Sequence, residues 1–399
     1  MAELKLALQA VAIFLFCSYT SVRFLVPLMG QEFLSRCLGT VLCGVSSVCI
    51  ASYATRGGKI ANFRDKAVLI TGCDTGMGNA LARRLDGMGF RVFAGCLEAE
   101  YGEGAAGLRA ECSERLKVIQ MDVTSDKEVV EAVTAVEETL AKTGDAVCFF
   151  TWEGSCDILN RKIINTSLCF IYNTVLWGVV NNAGVLTFGM VEWICLDAFK
   201  KVMEVNTWGM VRVTKAFLPL IRKSKGRIVN MSSVLGRFSS PYCTPYCMTK
   251  YAVQAFTDAL RVELFPWGVK AVIVEPGTFS AGTSVMLREG ILNSGMERVW
   301  RSAPEEVRQA YGEDHFQSVK KALIMPILKT THGSIVPVID AYTSALTDEI
   351  PKDRYFPSNA MCKCIAWAHY YLPASIMDAV ANLYLAFFCA KLQGLETSY

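Results

Sequence analysis

A glycine-rich turn, Thr71-Gly72-Cys73-Asp74-Thr75-Gly76-Met77-Gly78, follows a short apolar run and precedes a helical pattern. The run Ala67-Val68-Leu69-Ile70 is typical of a buried parallel strand, and Asn79–Leu85 has helical periodicity. In a strand–turn–helix unit, glycines let the main chain approach a diphosphate, and the helix N-terminus offers unpaired N–H groups. The stretch therefore predicts a dinucleotide-binding unit, although its spacing is Gly-x-x-x-Gly-x-Gly and not Gly-x-Gly-x-x-Gly.

A second strand is predicted at Phe90–Cys96, and Glu98 follows its end. A carboxylate at this position accepts hydrogen bonds from the ribose hydroxyls of adenosine and repels a 2′-phosphate. No arginine immediately follows Glu98. We therefore predict NAD as the cofactor and NADP as the weaker candidate; a solvated loop glutamate is the alternative. A later strand, Gly178-Val179-Val180-Asn181-Asn182-Ala183-Gly184, ends in Asn-Asn-Ala-Gly.

Another group of residues predicts acid–base chemistry. Tyr246-Cys247-Met248-Thr249-Lys250 is a Tyr-x-x-x-Lys pair, and Ser233 lies thirteen residues before the tyrosine. Positions i and i+4 of a helix share one face, so we expect the Lys250 ammonium beside the Tyr246 hydroxyl. A positive neighbour favours phenolate and is expected to lower the tyrosine pKa from its usual value of about 10. Ser233 would hold the substrate oxygen while Tyr246 moves the proton; a surface helix where the two side chains meet by chance is the alternative.

In order along the chain, these motifs resemble the short-chain dehydrogenase/reductase family. The resemblance covers roughly residues 66–283 and includes the glycine turn, Asp122-Val123, Asn182-Ala183-Gly184, Asn206, Ser233, Tyr246 with Lys250, and Pro276-Gly277. It implies an α/β fold with a doubly wound parallel sheet, Rossmann-like and three-layered. It also implies an enzyme that transfers a hydride between an alcohol or ketone and a nicotinamide cofactor.

The resemblance assigns roles to individual residues. It implies catalysis by Ser233, Tyr246 and Lys250, with Asn206 holding a water that relays protons to the lysine. No metal is implied. The residues that it places at the cofactor are Gly72, Asp74, Thr75, Gly76, Met77, Gly78, Glu98, Asp122, Val123, Asn182, Ala183, Gly184, Tyr246, Lys250, Pro276, Gly277 and Thr278.

Four stretches are similar to one branch of this family. That branch holds mitochondrial D-3-hydroxybutyrate dehydrogenase, 17β-hydroxysteroid dehydrogenase type 2, 11β-hydroxysteroid dehydrogenase type 2 and several retinol dehydrogenases. The four stretches are Leu69–Asp74, Phe93–Leu97, Phe217–Arg222 and Val274–Gly277. Ser232–Arg237 and Pro245–Cys247 are most similar to the hydroxybutyrate member, whereas His369–Pro373 resembles the steroid-active members. The branch therefore predicts the reaction better than the substrate.

Composition excludes some functions. The chain has 399 residues and a formal net charge of +3 with mixed signs, so nothing in it favours nucleic-acid binding. It contains sixteen cysteines but no pair of Cys-x-x-Cys units, which favours a reducing compartment in which cysteines act as small hydrophobes. With three histidines, histidine-based metal chemistry is not expected.

Both ends of the chain are apolar. Leu6–Val22 and Cys37–Thr55 carry no charge, and each is near the short end of the roughly 17 to 25 residues that span a bilayer. We predict one or two anchor helices within residues 1–58, a catalytic domain at 63–345 and a helical, membrane-associated extension at 346–399. A subunit-contact helix is the alternative for this extension. The basic residues after the second run place the catalytic domain on the cytosolic side of the endoplasmic reticulum; the mitochondrial inner membrane is the alternative.

Residues 146–174 interrupt the expected pattern, because the family has only a short connection there. The segment is apolar and longer than most unstructured loops of compact domains. The residues at both ends of the segment can be encoded by codons that resemble splice sites. We therefore hypothesise that the segment is a retained intron, which sequencing of the transcript tests. If the segment belongs to the protein, it enters the amino end of a parallel strand and should project away from the cofactor.

The substrate is the least determined property. The segment from Thr278 to Lys320 is expected to cover it, and Arg237 is a candidate for binding the carboxylate of a short hydroxy acid, or else a surface arginine. We favour a lipophilic alcohol of steroid or retinoid type because of the apolar ends, with D-3-hydroxybutyrate as the close alternative. A non-catalytic, membrane-bound NAD-binding scaffold is the alternative of another class. Expected partners are the alcohol, membrane lipid and a second copy of the chain in a homo-oligomer.

Overall fold

The computed structural model of the chain describes residue 46 and residues 58–142, 145–149, 168–172, 174–279, 289–330 and 334–383. Nine strands lie in these ranges: β1 Lys66–Thr71, β2 Arg91–Cys96, β3 Leu116–Gln120, β4 Asp145–Phe149, β5 Leu168–Tyr172, β6 Val175–Asn181, β7 Arg227–Met231, β8 Lys270–Val274 and β9 Arg354–Tyr355. Seven of them form one parallel sheet in the order β3-β2-β1-β6-β7-β8-β9. The predicted parallel α/β fold is confirmed.

Helices connect the strands and cover both faces of the sheet. Their bounds are α1 Gly76–Gly87, α2 Glu103–Glu111, α3 Asp126–Lys142, α4 Leu196–Met203, α5 Met210–Ser224, α6 Thr244–Glu263, α7 Glu289–Ser302, α8 Glu305–Tyr311, α9 Glu313–Thr330, α10 Val336–Thr347 and α11 Ala360–Tyr371. A π-helical turn, Glu204–Gly209, joins α4 to α5, and a short 3₁₀ turn, Val234–Gly236, follows β7.

The strands are apolar because both faces of the sheet are buried. Alternate side chains of a strand point to opposite faces. Ala67 and Leu69 of β1 pack in one core with residues of α3, α5 and α6, whereas Val68 and Ile70 pack in the other with residues of α1 and α10. Each fully buried aliphatic side chain of this kind contributes about 1.5–3 kcal/mol. The resulting three-layer core holds the carboxyl ends of the strands in place.

The strand order reverses between β1 and β6. Chain connections leave these two neighbours in opposite directions, which opens a crevice at their carboxyl ends. The glycine turn follows β1, and Asn182 follows β6 at the same edge. The predicted dinucleotide-binding unit therefore lies at the position where open α/β sheets bind ligands.

The interrupting segment contains an antiparallel hairpin. Strands β4 and β5 pair from Asp145 with Tyr172 to Phe149 with Leu168. Residues 150–167 between them lie outside the described residues. β6 begins only three positions after β5 ends, so the hairpin is attached at the amino end of β6, opposite the edge that carries the glycine turn.

The chain divides into two compact units, one comprising Met1–Lys59 with Asp348–Ile350 and the other Ile60–Thr347 with Pro351–Tyr399. In the described part of the first unit, Lys59 pairs with Asp348. The predicted anchor runs, Leu6–Val22 and Cys37–Thr55, lie outside the described residues. Among the helices that the structure describes, none has the length and apolar character needed to cross a bilayer.

The predicted division of the chain into three regions stays a prediction. In the structure, β9 adds the seventh strand by pairing with β8, and it lies within residues 346–399. This segment therefore contributes to the sheet as well as to the C-terminal helices. After α11, residues 374–383 are also helical.

Candidate active site

Two glycines of the turn adopt a backbone conformation that L side chains rarely adopt. Gly72 has a φ of 69° and Gly76 a φ of 65°. A Cβ at Gly72 would lie 2.8 Å from Ala183 Cα, and a Cβ at Gly78 would lie 2.4 Å from Gly72 O. Because these contacts are with main-chain atoms, which cannot move aside like a flexible side chain, only glycine fits at positions 72 and 78.

The glycine turn is joined to the end of β6 by side-chain hydrogen bonds. Asn182 N and Ala183 N donate to Thr71 Oγ1 at 3.1 and 3.0 Å. In return, Asn182 Nδ2 donates to Thr71 O at 3.0 Å and to Gly72 O at 3.2 Å. These four bonds bring the predicted residues Gly72, Asn182 and Ala183 together across the crevice.

The N-terminus of α1 faces this turn without a side-chain cap. Thr75 is the N-cap residue, but its hydroxyl makes no capping bond. The N–H groups of the first turn are therefore available to a diphosphate, which helix N-termini bind well. With the close main-chain approach at Gly72 and Gly78, the residues fit a dinucleotide that would lie over Gly76 and Met77.

Asp74 organises the loop after β2. Its carboxylate accepts hydrogen bonds from Leu97 N and Glu98 N, both at 3.0 Å. The side chain of Glu98 is exposed at the end of β2. A Cβ at Gly104 of α2 would lie only 1.6 Å from Asp74 O, so α2 packs directly against the turn. The structure thus gives Asp74 a supporting role in the loop, and the Glu98 side chain is exposed at the end of β2.

Asp122 and Val123 follow β3 at the same edge of the sheet. Asp122 Oδ1 accepts hydrogen bonds from Thr124 N and Thr124 Oγ1, both at 2.8 Å. Val123 is buried, and its carbonyl accepts a bond from Arg212 Nη1 at 2.8 Å. These contacts fix the turn after β3; the adenine contact of the two residues stays a prediction.

Ser233 lies at the start of the 3₁₀ turn that follows β7. Its Oγ accepts a hydrogen bond from Leu235 N at 3.2 Å, which caps the turn. Val234 N donates to Pro276 O at 2.9 Å, and Ser232 N donates to Val274 O at 2.8 Å. The serine is therefore held against the end of β8, where Pro276 and Gly277 were predicted to face the nicotinamide.

Tyr246 and Lys250 lie on the first turns of α6, which has Pro245 near its N-terminus, a position where proline favours a helix start. Tyr246 shares a hydrogen bond with Ser233. Lys250 Nζ donates to Met231 O at 2.9 Å and lies 5.2 Å from the centre of the Tyr246 ring. The structure therefore brings Ser233, Tyr246 and Lys250 together as predicted.

The electrostatics of this group differ from the expectation. Burial raises the pKa of Tyr246, and the hydrogen bond with Ser233 only partly opposes this effect. Burial also lowers the pKa of Lys250 from 10.5 to about 8. The expected lowering of the tyrosine pKa is therefore wrong for the protein alone, because desolvation disfavours both charged forms.

Asn206 lies in the π-helical turn between α4 and α5, and such turns are frequent at functional sites. Its Oδ1 accepts a hydrogen bond from Val185 N, and its Nδ2 donates to Val185 O, both at 2.8 Å. Nδ2 also donates to Thr249 Oγ1 at 3.1 Å. The amide thereby joins the loop after Gly184 to the helix that carries Lys250; the relay water stays a prediction.

Pro276, Gly277 and Thr278 follow β8. Gly277 N donates to Pro357 O at 3.0 Å, and a Cβ at Gly277 would lie 2.4 Å from Ser358 Oγ. Pro276 is buried, whereas Gly277 and Thr278 are partly exposed at the carboxyl edge of the sheet. The three residues border Ser233 on the side away from the glycine turn, because β8 lies beyond β7 in the sheet order.

Sequence reasoning missed two buried residues at this site. Tyr342 of α10 is fully buried, and its hydroxyl donates to Asn182 Oδ1 at 3.3 Å. Glu275 is also fully buried and pairs with Arg237, the predicted carboxylate-binding candidate, at 2.8 and 2.6 Å. Glu275 belongs to Val274–Gly277, one of the four stretches that resemble the branch, so its position in the sequence could have indicated a role at the site. No local pattern distinguishes Tyr342.

An aromatic cluster packs against Cys243 and Cys247 at the start of α6. The ring centres of Trp193 and Trp300 are 4.9 Å apart, and those of Trp300 and Phe316 are 5.0 Å apart. Cys243 and Cys247, which lie on either side of Tyr246 in the sequence, are buried in the same cluster. The described part of the predicted cover, α7 to α9, is thus apolar and aromatic where it adjoins α6.

Comparison with known proteins identifies the class. The sequence model of the short chain dehydrogenase family matches residues 66–145 and 157–291. The gap in this match falls within the interrupting segment. The chain belongs to the short-chain dehydrogenase family, and it is accordingly an oxidoreductase with a fold that binds a nicotinamide cofactor.

Particular relatives narrow the type of dehydrogenase. Mitochondrial D-beta-hydroxybutyrate dehydrogenase of Bos taurus is 42% identical over 293 residues, which cover 73% of this chain and 76% of that protein. Retinol dehydrogenase 7 of Rattus norvegicus is 37% identical and 17-beta-hydroxysteroid dehydrogenase type 6 of Homo sapiens 34% identical, each over 80% of this chain and 89% of the relative. The predicted resemblance to this branch is confirmed.

Solved structures agree on the fold. A short-chain dehydrogenase from Streptomyces avermitilis superposes with a TM-score of 0.56 at 22% identity, covering 79% of this chain and 95% of that one. A short-chain dehydrogenase/reductase from Burkholderia phymatum in complex with NAD gives a TM-score of 0.55 at 19% identity, covering 78% and 94%.

Proposed function

We propose that the protein oxidises a lipophilic alcohol, of steroid or retinoid type, with NAD. One observation carries the choice of substrate class: Arg237 is bound to the buried carboxylate of Glu275. Arg237 is the candidate for binding the carboxylate of a hydroxy acid, but its guanidinium already donates two hydrogen bonds to Glu275. The aromatic cluster of Trp193, Trp300 and Phe316, which packs with Cys243 and Cys247 at the start of α6, supports an apolar site, because ligand sites of this kind are lined mainly by apolar side chains.

The chain's own residues perform the acid–base part of this reaction. Ser233 donates a hydrogen bond to the substrate oxygen, and Tyr246, as the phenolate, accepts the proton of the substrate hydroxyl. The cofactor, when bound, supplies the acceptor for the hydride that leaves the carbinol carbon. With a pKa of about 8, Lys250 is protonated at neutral pH and favours the phenolate of Tyr246 during the transfer.

NAD is the proposed cofactor because of the loop after β2. The exposed carboxylate of Glu98 follows the strand directly, and Asp74 holds the main chain of Leu97 and Glu98. A carboxylate at this position suits ribose hydroxyls and repels a 2′-phosphate. Arg109, the nearby cation, donates to Ala99 O at 2.6 Å.

A short hydroxy acid is the second candidate substrate. Its support is the 42% identity to a D-beta-hydroxybutyrate dehydrogenase. In that case, another donor than Arg237 must bind the carboxylate.

We further propose that the protein is attached to membrane lipid, with its catalytic domain on the cytosolic face of the endoplasmic reticulum; the mitochondrial inner membrane is the alternative. Exposed aromatic side chains of α11, Trp367 and Tyr370, support contact with lipid.

We also propose a homo-oligomer. Its support is the exposure of Trp208 in the π-helical turn and of Met248 and Val262 on α6. Protease protection of each organelle, and light scattering of the solubilised protein, test these two proposals.

A substrate screen tests the proposed function. The purified, detergent-solubilised chain is incubated with estradiol, retinol or 3-hydroxybutyrate, each with NAD and with NADP, and cofactor reduction is followed at 340 nm by absorbance. We expect the highest kcat/KM with NAD and estradiol or retinol. A higher kcat/KM with 3-hydroxybutyrate overturns the substrate class but keeps the reaction. Tight NAD binding without turnover of any alcohol supports the non-catalytic scaffold instead.

A further inference from the structure

Beside Ser233, the half-buried Arg237 pairs with the fully buried carboxylate of Glu275. We propose that this pair is a clamp that positions Ser233 against the nicotinamide side of the site. The inference rests on the proposed function and adds two positioning residues to it. Neither residue is proposed to touch the substrate.

The geometry of the pair is bidentate. Arg237 Nε donates to Glu275 Oε1 at 2.8 Å, and Arg237 Nη2 donates to Glu275 Oε2 at 2.6 Å. The two parallel bonds define the orientation of the guanidinium as well as its distance. Arg237 also lies over the ring of Phe356, 5.1 Å from its centre. The guanidinium is therefore held from two directions.

Burial of the Glu275 carboxylate makes its charged partners important for stability. Glu275 has no exposed side-chain surface, and an uncompensated buried carboxylate is strongly destabilising. Gln254 and Arg354 also contact Glu275, so the carboxylate has partners besides Arg237. Of these partners, Arg237 belongs to the Ser233 turn, whereas Gln254 is on α6 and Arg354 is on β9.

Arg237 and Glu275 lie on the two loops that we expect to face the substrate oxygen and the nicotinamide. Arg237 ends the turn that begins at Ser233, and Glu275 directly precedes Pro276. The main-chain bond from Val234 N to Pro276 O joins the same loops at 2.9 Å. The ion pair and this bond together set the distance between the hydroxyl that holds the substrate oxygen and the loop that faces the nicotinamide. Displacements of about 1 Å at such positions cost on the order of 100-fold in rate.

The test compares Arg237→Met and Arg237→Lys with Arg261→Met. Arg261 belongs to the same charged cluster through Asp258 but bonds to Ala271 O on β8 and does not contact Glu275 in the described residues. We expect Arg237→Met to lower kcat about 10- to 100-fold with the Kd for NAD changed less than about 3-fold, and Arg237→Lys to recover part of this loss. Arg261→Met should lower Tm less, because its partners Asp258 and Asp353 are exposed, and it should leave kcat within about 2-fold of wild type.

A second measurement does not depend on turnover. Hydrogen exchange of peptides that cover residues 232–238 and 274–279 should accelerate in Arg237→Met and stay unchanged in Arg261→Met. In a double-mutant cycle, the loss of kcat for Arg237→Met combined with Glu275→Gln should be smaller than the product of the two single losses, because the two substitutions share the Arg237–Glu275 interaction. Equal losses of kcat in the Arg237 and Arg261 variants, or unchanged exchange in both peptides, overturn the clamp. A wild-type chain that turns over no alcohol refutes the proposed function, and the exchange result still decides on the clamp.

Discussion

Lys250 Nζ donates to the main-chain oxygen of Met231 at 2.9 Å, so the end of β7 holds the ammonium that faces Tyr246. Lys250 is only 3% exposed, and burial lowers its pKa to about 8. A lysine in this state costs stability at neutral pH, because the folded protein must bury a charge that the unfolded chain leaves in water. The buried ammonium beside the Tyr246 phenol therefore lowers the free energy of unfolding at neutral pH.

Lys250→Met should therefore stabilise the protein at pH 7 while removing activity. In wild type, the pKa falls from 10.5 unfolded to about 8 folded, so the unfolded state binds more protons between these values and the Lys250 contribution to stability rises with pH. The gain of the variant should be up to about 3 kcal/mol below pH 8 and should shrink toward zero near pH 10. Denaturant unfolding of both proteins at pH 7 and pH 10 measures the difference. A gain independent of pH contradicts the buried ammonium.

Tyr246→Phe should abolish alcohol oxidation and keep cofactor binding. The substitution removes the hydroxyl that accepts the substrate proton but preserves the ring beside Lys250. We expect kcat to fall at least about 100-fold, with the Kd for NAD within a few-fold of wild type. Tyr251→Phe, five residues further on α6 and partly exposed, is the matched control. Residual turnover comparable to that of the control would refute the role of the tyrosine.

Tyr342→Phe should weaken cofactor binding more than catalysis. The Tyr342 hydroxyl donates to Asn182 Oδ1, and Asn182 in turn bonds to Thr71 O and Gly72 O. Losing one hydrogen bond of about 1 kcal/mol should raise the KM for NAD about 5-fold and leave kcat nearly unchanged. Tyr355→Phe, whose hydroxyl accepts a bond from Lys352 N, serves as the control at a buried tyrosine outside the glycine turn. The idea fails if both variants raise the KM equally.

Gly72→Ala should disrupt the cofactor turn. Its φ of 69° is strained for alanine, and the new Cβ would lie 2.8 Å from Ala183 Cα. We expect loss of NAD binding by at least about 10-fold together with a lower Tm. Gly87→Ala provides the comparison, because no atom lies within 4 Å of a Cβ at this last residue of α1. This change should be neutral or stabilising by up to about 1 kcal/mol. Equal NAD affinity in both variants would contradict the close approach.

Removal of residues 146–174 should preserve the active site. The β4–β5 hairpin is attached at the amino end of β6, whereas Asn182 and the glycine turn lie at the carboxyl edge. A chain in which Asp145 directly precedes Val175 is expected to bind NAD with wild-type affinity, which titration of the purified variant measures. Sequencing of the transcript tests separately whether the segment is a retained intron; a dominant message that carries it contradicts that hypothesis.

The sequence predicted those parts of the site that depend on residues close together in the chain. The glycine turn follows β1 directly, and Tyr246 and Lys250 share one helix face because they are four residues apart. The apolar runs of β1, β2 and β6 likewise predicted the buried parallel sheet, because each run is a short continuous stretch of the chain. The sequence did not reveal the β4–β5 hairpin, because residues 150–167 separate its two strands and only a short turn sets the register of a hairpin from sequence.

By itself, then, the sequence determined the reaction: a cofactor turn, an asparagine, a serine and a tyrosine–lysine pair occur in the order in which they resemble the family. Only the tertiary structure decided how these residues are supported and charged. Arg237 meets Glu275 across 38 residues, and Tyr342 meets Asn182 across 160, so neither contact has a local signal. The raised pKa of Tyr246 and the lowered pKa of Lys250 likewise arise from burial, which depends on every element packed around them and not on the residues in between.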